Sequence, residues 1–191
     1  EYENNKPNLP KEFCYLEGKY RDMYLHDMKI CQDFAEVNRY FIATKILEKM
    51  FNTENISLKR ISTEDFGYID ISNYYQILWF QTIHNYISFE DNIVRKGAIS
   101  AKKGEKVLIP INMRDGSIIA IGKGNEDWNY SAPHGAGRIM SRGKAKELVN
   151  LQDFKEAMEG IYTTSVNQST IDESPFVYKP MQEIIDNIKD T

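Results

Sequence analysis

The amino-acid sequence predicts an α+β fold, and three observations support this prediction. In the first third of the chain, apolar residues recur at three- and four-residue steps, which is the period of a helix that buries one face. The middle of the chain holds short apolar runs separated by turn residues, as antiparallel strands do. After residue 140 the apolar residues return to helical spacing. Because helices and strands follow one another in blocks, a regular βαβ alternation is not expected.

The first helical pattern runs from Tyr24 to Met50 and predicts one long amphipathic helix. Its apolar stripe consists of Met28, Cys31, Phe34, Ala35, Phe41, Ile42 and Ile46. His26 falls inside this helix and is expected at its surface, whereas residues 1–20 are expected to be irregular. Cys14 and Cys31 show no CxxC spacing, so we expect reduced, buried thiols of a cytosolic protein rather than a disulfide or a zinc site.

Two β-hairpins are predicted in the middle of the chain. The first joins residues 76–88 to Ile93–Lys96 across the turn Phe89–Asn92. The second joins Val107–Pro110 to Ser117–Ile121 across an Asp-Gly turn, and its proline is expected to end the strand or to lie at a sheet edge.

Three helices are predicted in the last third of the chain. The first includes Lys144, Ala145 and Leu148. Asn150 is expected to cap a second helix that carries apolar residues as far as Ile161, and Pro180 is expected in the first turn of a third.

The composition favours a folded protein without a membrane segment. Hydrophobic residues make up 41% of the chain and aromatic residues 12%, which supports a core and argues against disorder. No apolar run is long enough for a transmembrane helix and no signal-peptide pattern is visible, so we expect a cytoplasmic protein. The net charge of -4 argues against binding of nucleic acid through bulk charge, but it leaves room for local basic sites. Such sites are Arg95-Lys96, the lysines of residues 102–106 and the basic residues of 138–146.

The segment from Ser131 to Arg142 carries the most informative pattern. A Gly-x-Gly loop that leads into a helix offers backbone N–H groups to a phosphate, and His134 stands at its mouth. Arg138 and Arg142 are four residues apart, so in a helix both would lie on one face and could clamp anionic oxygens. On spacing alone, a Gly-rich turn followed by a solvated basic helix is an equally good interpretation.

The residues His134-Gly-Ala-Gly-Arg-Ile-Met-Ser-Arg142 closely resemble the signature of the RtcB RNA ligase family. Further resemblances follow in the family's order over roughly residues 15–185, in the segments Tyr24–Met28, Phe34-Ala35, Asn38-Arg39, His84–Ile87, Arg95–Ala98, Gly122–Asn125, Glu173–Pro175 and Tyr178-Lys179. A match this long and ordered is more specific than any single motif.

The resemblance implies a GTP-dependent RNA ligase that uses manganese. Such an enzyme joins an RNA end with a 2',3'-cyclic phosphate or 3'-phosphate to an RNA end with a 5'-hydroxyl, as in tRNA splicing or RNA repair. A histidine is guanylylated by GTP, and the GMP is then passed to the RNA 3'-phosphate.

The resemblance also implies roles for individual residues. His134 corresponds to the guanylylated nucleophile, His84 to a manganese ligand and Asn85 to a neighbour of the nucleotide phosphates. Tyr178 would border the guanine or stack on it. The residues implied to line the nucleotide are Pro110, Ile111, Asn112, Met113, Ser117, Gly135, Ala136 and Gly137. The residues implied to bind phosphate or RNA are Lys96, Arg138 and Arg142.

The sequence departs from the family pattern in two ways. The guanine-side loop usually reads Pro-Gly-Ser-Met-Gly, whereas residues 110–114 read Pro-Ile-Asn-Met-Arg. The family's other metal ligands and its terminal Lys-Gly segment are not found. We therefore expect residues 1–191 to be the C-terminal portion of a single RtcB-like domain without the N-terminal metal-ligand region, and we expect this portion alone to be inactive. The alternatives are a divergent paralogue with another nucleotide or RNA target, and a non-catalytic RNA-binding module.

Overall fold

The computed structural model describes residues 15–60, 68–71 and 74–191, and its helices and short antiparallel strand pairs confirm the predicted α+β class. The chain divides into two compact units, residues 1–57 and 58–191. The helices are α1 (Gly18–Phe51), α2 (Arg142–Leu148), α3 (Leu151–Ala157) and α4 (Met181–Asn187), with short 3-10 turns at Glu126–Trp128, Gln168–Glu173 and Pro175–Val177. The strands are β1 (Ile56–Arg60), β2 (Tyr68–Ile71), β3 (Tyr74–Trp79), β4 (Tyr86–Ser88), β5 (Ile93–Arg95), β6 (Ala98–Ser100), β7 (Lys106–Asn112), β8 (Gly116–Ile121) and β9 (Ser131–Pro133).

The first unit contains the predicted long helix, α1, which begins at Gly18 rather than at Tyr24. It ends at Phe51, and the C-cap residue Asn52 has a left-handed backbone from which its N–H donates to the carbonyl of Glu48. None of its residues is buried. Five of the seven residues of the predicted apolar stripe are exposed, and Met28 and Ala35 are half-buried. Cys31 is among the exposed residues, so the prediction of a buried thiol is wrong for it. His26 is exposed as predicted, and Cys14 lies outside the described residues.

The second unit contains both predicted hairpins, but the first strand of the first hairpin is shorter than predicted. Strands β4 and β5 pair antiparallel around the turn Phe89–Asn92, and β7 pairs antiparallel with β8. Of the predicted segment 76–88, only Tyr86–Ser88 pairs with β5, and residues 76–79 belong to β3. Strand β7 continues past Pro110 to Asn112, with a register shift between these two residues. Of the two predicted positions for the proline, the strand end is therefore wrong and the sheet edge is confirmed. The proline is tolerated because each strand of a two-stranded sheet is an edge, where a missing N–H need not break a ladder. Strands β2 and β3 pair antiparallel as neighbours in a three-stranded sheet of order β1-β3-β2.

The sequence did not predict the pairing of β6 with β9, which builds the site described below. Ala98 lies opposite Pro133, and Ser100 lies opposite Ser131. Strand β9 has only three residues and ends in proline, so it gives no strand pattern. The pairing brings the residue after β9, His134, next to the residue before β6, Gly97.

The main core of the second unit packs around β7. Alternate residues of this strand, Val107, Ile109 and Ile111, are buried, as the two-residue period of a strand requires. They pack with the other buried residues Ile99, Ala101, Ala132, Ala136 and Ile184. A smaller core is formed by Phe154, Met158 and Ile171. The main core therefore contains residues of β6, β9 and the loop after His134, which fixes their positions.

We expect Ile109→Ala to lower the free energy of unfolding by about 2–5 kcal/mol, because Ile109 is completely buried and its truncation leaves a cavity. Chemical denaturation of the purified protein measures this. Ile119→Ala in the paired strand is the matched control, since Ile119 is 56% exposed. Equal destabilisation by both substitutions would contradict the assignment of the core.

The three C-terminal helices are present, but the first begins later than the Gly-rich loop predicts. Ser141 caps α2, which starts at Arg142, and Asn150 caps α3 as predicted. Helix α3 ends at Ala157, before Ile161, and Pro180 stands at the N-cap of α4. Arg138 lies outside any helix and forms a β-bridge with Tyr178. The prediction that Arg138 shares a helix face with Arg142 is therefore wrong.

None of the described helices combines the length and the apolar character needed to cross a membrane.

Candidate functional site

The imidazole of His134 is held by the backbone of the β5–β6 connection. Its Nδ1 lies 2.6 Å from the carbonyl oxygen of Gly97. The N–H of Gly97 in turn donates to the side-chain oxygen of Asn85 at 2.8 Å. Gly97 has a φ of +69°, a conformation that glycine adopts without strain. Two successive hydrogen bonds, from Gly97 to Asn85 and from His134 to Gly97, thus fix one nitrogen of the exposed imidazole.

This hydrogen bond determines which nitrogen of His134 carries the proton. A carbonyl oxygen can only accept, so Nδ1 must be the donor. In the neutral ring the lone pair then lies on Nε2. An imidazole in this tautomer offers one nitrogen for nucleophilic attack or for metal binding, while the other nitrogen is anchored.

His84 stacks on His134. The ring centroids are 5.0 Å apart and the planes are inclined by 19°. His84 is exposed and comes just before β4. The next residue, Asn85, has a left-handed φ of 59° and turns its side chain towards Gly97. Two exposed imidazoles therefore lie side by side at the end of the β4–β5 hairpin.

A cavity of about 560 Å³ opens beside His134. Its lining residues come from β7, the β7–β8 turn, the loop after His134 and the segment around Tyr178. They are Pro110, Ile111, Asn112, Met113, Gly116, Ser117, His134, Gly135, Ala136, Gly137, Arg138, Arg142, Glu173 and Tyr178. The volume is in the range of a small-molecule binding site.

One wall of the cavity is formed by close approach of the loop after His134 to the bulged end of β7. The N–H of Ala136 donates to the carbonyl of Pro110 at 3.1 Å. A Cβ at Gly135 would lie 3.1 Å from the same oxygen, so a small residue is favoured there. The register shift after Pro110 and this contact together bring β7 against the histidine loop.

The β7–β8 turn is organised by Asn112. Its side-chain oxygen accepts from the N–H groups of Arg114 and Asp115, and its amide donates to the Asp115 carboxylate at 2.8 Å. Arg114 pairs with Asp115 at 2.8 Å. The hydrogen bond from Arg114, followed by that from Asn112, holds the pKa of the Asp115 carboxyl below its ordinary value. The bulky Arg114 is thus tied to its neighbour.

Another wall of the cavity is formed by Arg138, Arg142, Glu173 and Tyr178. We call these four residues, together with Asp172, the arginine wall. Arg142 pairs with the Asp172 carboxylate at 2.7 Å and with that of Glu173. Arg138 donates to the Asp172 carbonyl, and its guanidinium lies 5.2 Å from the centre of the Tyr178 ring. Burial, and then the Glu173 carboxylate, raise the pKa of the Tyr178 hydroxyl. The two arginines meet through the fold rather than through one helix face.

The two neighbouring basic residues Arg95 and Lys96 differ in role. Arg95 is only 2% exposed and donates to Ser131 Oγ, to the Tyr86 hydroxyl and to two backbone carbonyls. It is a buried structural residue rather than part of a basic surface. Lys96 is exposed but does not line the cavity.

The structure therefore brings together most of the residues that the sequence singled out. The cavity contains every predicted nucleotide-lining and phosphate-binding residue except His84, Asn85 and Lys96. The first two of these reach the site through contacts with His134 and Gly97. Sequence reasoning missed the parts played by Gly97, Asp172 and Glu173. A positive φ at Gly97 and the long-range pairing of Glu173 leave no local pattern in the sequence.

Comparison with known proteins identifies the family. A sequence model of the tRNA-splicing ligase RtcB family matches residues 3–191 of the chain. The chain belongs to the RtcB family. It is 31% identical over 178 residues to RNA-splicing ligase RtcB of Escherichia coli strain K12. This alignment covers 90% of this chain and 41% of the relative. It is also 26% identical over 217 residues to tRNA-splicing ligase RtcB of Nanoarchaeum equitans, covering 96% of this chain and 42% of the relative.

A shorter RtcB match has higher identity. Over 86 residues the chain is 42% identical to tRNA-splicing ligase RtcB of Aeropyrum pernix, which covers 42% of this chain and 18% of the relative. The chain spans about two fifths of the length of the curated RtcB relatives that match most of it.

Across the described ranges 15–60, 68–71 and 74–191 there is no group of three or more His, Cys, Asp or Glu side chains that could hold a metal ion. His84 and His134 are the imidazoles at the site. The assignment of His84 as a single metal ligand stays a prediction.

Proposed function

We propose that this protein is a GTP-dependent RNA ligase in which His134 is the covalent nucleophile. It would join RNA ends bearing a 2',3'-cyclic phosphate or 3'-phosphate to RNA ends bearing a 5'-hydroxyl. The observation that carries this proposal is the hydrogen bond from His134 Nδ1 to Gly97, which leaves the lone pair on Nε2 beside the cavity. The names of the relatives, which are tRNA-splicing and RNA-splicing ligases, support an RNA substrate.

The first step would transfer GMP to the protein. Nε2 of His134 attacks the α-phosphorus of GTP, an N–P bond forms, the bond to the β-phosphate oxygen breaks and pyrophosphate leaves. The ring becomes positively charged, while its Nδ1–H remains donated to the Gly97 carbonyl. A charged donor makes this hydrogen bond stronger than it is in the free enzyme. The Gly97 carbonyl therefore stabilises the adduct as well as orienting the ring.

The second and third steps would take place on RNA. An oxygen of the RNA 3'-phosphate attacks the phosphorus of the adduct and releases the imidazole, which gives an RNA end capped with GMP. The 5'-hydroxyl of the other strand then attacks the 3'-phosphate, loses its proton and expels GMP. An RNA end with a 2',3'-cyclic phosphate must first be opened by water to the 3'-phosphate. Activation by GMP is needed because a phosphate monoester has no good leaving group.

The cavity walls would supply binding and orientation. Pro110, Ile111, Asn112, Met113 and Ser117 would face the guanosine, with Tyr178 at its edge. Gly135, Ala136 and Gly137 allow close approach of the nucleotide to the backbone. Arg138 and Arg142 would bind anionic phosphate oxygens through their planar guanidinium groups. Lys96 and Asn85 would act from the β5–β6 side, where Asn85 also orients Gly97.

Manganese would be held in part by His84. An exposed imidazole that stacks 5.0 Å from His134 offers one neutral nitrogen ligand at the site of reaction. When bound, the metal would neutralise the crowded anionic oxygens of the triphosphate. Among the described residues the support for this metal is limited to His84 as ligand.

We expect the protein expressed from its complete gene to form a covalent GMP adduct on His134 when incubated with α-labelled GTP and manganese. A phosphoramidate on imidazole is labile to acid and stable to base, so treatment of the labelled protein identifies the bond. Peptide mapping by mass spectrometry identifies the residue. Mapping of the nucleotide to a lysine would overturn the proposal, and absence of label with intact RNA binding would favour a non-catalytic RNA-binding module.

A divergent paralogue with another nucleotide is the second candidate. The observation that favours it is the β7–β8 turn, in which the Asn112 side chain is already bonded to Arg114 and Asp115 rather than held free for a base. Competition of unlabelled ATP, CTP and UTP against labelled GTP tests this. Competition by any of these three that equals the competition by unlabelled GTP would support altered nucleotide choice.

A further inference from the structure

The two carboxylates of the arginine wall differ in exposure. The Asp172 side chain is 8% exposed, whereas that of Glu173 is 35% exposed. Among the described residues, Glu173 lines the cavity and Asp172 does not. Asp172 is thus part of the protein interior, and Glu173 faces the space that a ligand would fill.

Three groups converge on the Glu173 carboxylate. Its Oε1 pairs with Nη1 of Arg142, and its Oε2 lies 3.7 Å from Nη1 of Arg138. Its Oε2 also accepts the hydrogen bond from the Tyr178 hydroxyl. Two guanidinium groups and a hydroxyl are the kind of donor set that binds a phosphate group. The Glu173 carboxylate therefore lies where a phosphate ligand would bind.

Asp172, which does not line the cavity, contacts the same two arginines. Its carboxylate pairs with Arg142 at 2.7 Å, and its backbone carbonyl accepts from Nη2 of Arg138. The hydrogen bond from Arg142 holds the pKa of the Asp172 carboxyl below its ordinary value. Both arginines would therefore keep their positions if the Glu173 side chain moved away. Asp172 thus fixes the positions of the two guanidinium groups, and the Glu173 carboxylate occupies the place of an anionic ligand between them and the Tyr178 hydroxyl.

We propose that Glu173 is an internal counter-anion that the terminal phosphate monoester of an RNA strand displaces from Arg138, Arg142 and Tyr178. The inference rests on the proposed function, because it takes the RNA 3'-end as the ligand. Burial by itself would raise the pKa of the Glu173 carboxyl, but the hydrogen bonds from Tyr178 and Arg142 outweigh it and hold that pKa below its ordinary value. A ligand therefore has to compete with a full negative charge.

This competition sets a threshold for entry to the site. A phosphate monoester carries roughly 1.5 to 2 negative charges at neutral pH, whereas the carboxylate that it would replace carries one. The monoester therefore gains from the exchange. Because the cost of displacing Glu173 is the same for every ligand that enters, the carboxylate weakens binding of a terminal phosphate relative to an RNA end that has none. Glu173 would thus keep Arg138 and Arg142 neutralised until a terminal phosphate replaces it.

The test uses three fluorescent oligoribonucleotides of one sequence, which end in a 3'-hydroxyl, a 2',3'-cyclic phosphate or a 3'-phosphate. Their dissociation constants are measured by anisotropy without GTP and at one fixed salt concentration. The measured ratio is the dissociation constant of the 3'-hydroxyl end divided by that of the 3'-phosphate end. In Glu173→Gln we expect this ratio to rise roughly tenfold, because a neutral side chain no longer competes with the phosphate. The cyclic end, which carries one charge, should gain no more than the 3'-phosphate.

Two controls separate displacement from a general effect of charge. Glu90→Gln removes the same charge from an ion pair with Lys102 outside the cavity, and it should leave the ratio unchanged. In an Arg142→Gln background the preference should be lost, and adding Glu173→Gln should have no further effect. An unchanged ratio in folded Glu173→Gln, or an equal shift in Glu90→Gln, would overturn the inference.

A second variant covers the possibility that Glu173→Gln does not fold. Glu173→Asp keeps the charge but shortens the reach by one methylene, so it should shift the ratio in the same direction by a smaller amount. An unchanged ratio in Glu173→Asp would count against displacement. Labelling by GTP is measured separately on the same preparations. If the unsubstituted protein forms no GMP adduct but Glu173→Gln changes the ratio as expected, the proposed chemistry is refuted and the role of Glu173 stands. If the unsubstituted protein forms the adduct but Glu173→Gln leaves the ratio unchanged, the role of Glu173 is refuted.

Discussion

His134→Ala should abolish formation of the GMP adduct, with a loss on the order of 10⁴-fold or more, as expected when a covalent nucleophile is removed. The physical reason is that the anchored tautomer leaves Nε2 of His134 as the attacking atom beside the cavity. Alanine keeps the backbone of the loop but has no such atom. The measurement is the initial rate of labelling by α-labelled GTP at saturating manganese.

The chain contains three histidines, which provides matched variants for this experiment. His26→Ala removes an exposed imidazole from α1 and should label at the normal rate. His84→Ala should label roughly 10- to 100-fold more slowly, and it should recover in part as manganese is raised, since loss of a ligand weakens metal binding. Direct titration of manganese into the His84→Ala protein should show the same loss of affinity.

The three results distinguish the roles of the histidines. If His84→Ala labels slowly but does not respond to manganese, His84 acts through its stacking on His134, and the assignment of a metal ligand is wrong. If His134→Ala still labels at more than a trace rate, the nucleophile is another residue. A slow His26→Ala protein would mean that loss of any histidine disturbs the fold.

The sequence predicted those parts of the fold whose signal is local. Apolar residues at helical spacing predicted α1, and strand-like runs beside turn residues predicted the β4–β5 and β7–β8 hairpins. The pairing of β6 with β9 joins two three-residue strands that are distant in the chain, and neither has a pattern of its own. The position of His134 beside Gly97 depends on that pairing. The sequence could therefore indicate the reactive residue but not what orients it.

The arginines illustrate where reasoning from spacing fails. A four-residue spacing predicts a shared helix face, but Ser141 caps α2 and leaves Arg138 outside it. Arg138 and Arg142 instead meet because both reach residues 172 and 173, about thirty positions away in the chain. The charge of the two arginines is balanced by carboxylates that no local motif connects to them. Resemblance to a family indicated the arginines, but only the fold revealed their counter-ions.

The sequence also could not predict that Arg95 is buried. In a pair of adjacent basic residues, nothing in the sequence shows which of the two lies in the interior. The guanidinium of Arg95 donates to Ser131 Oγ at 2.9 Å and to the Tyr86 hydroxyl at 3.1 Å. It also donates to the carbonyls of Asn129 and Tyr130 at 3.2 and 3.3 Å. Both of these residues have left-handed backbone, which is strained for side chains other than glycine. Arg95 thus holds a strained turn directly before β9.

Arg95→Met should lower the free energy of unfolding by about 3–5 kcal/mol, because it leaves several part-buried acceptors without their donor. The melting temperature should fall by roughly 10 °C. Labelling of His134 by GTP should fall as well, since the turn released by the substitution leads through β9 to that residue. Differential scanning calorimetry measures the melting temperature, and the labelling assay, run well below the melting temperature of the variant, measures the activity.

Lys96→Met is the matched control, because it removes the same charge from the adjacent, exposed residue. It should leave the melting temperature within a degree or two, since surface substitutions change stability by only about 0.5 kcal/mol. Arg95→Lys should fall between the two variants, because one ammonium group cannot reach acceptors that are spread around a planar guanidinium. If Arg95→Met and Lys96→Met were equally stable, Arg95 would not be the residue that fixes β9. The strained turn would then have to be held by Ser131, whose Oγ donates to the Asn129 carbonyl at 2.8 Å.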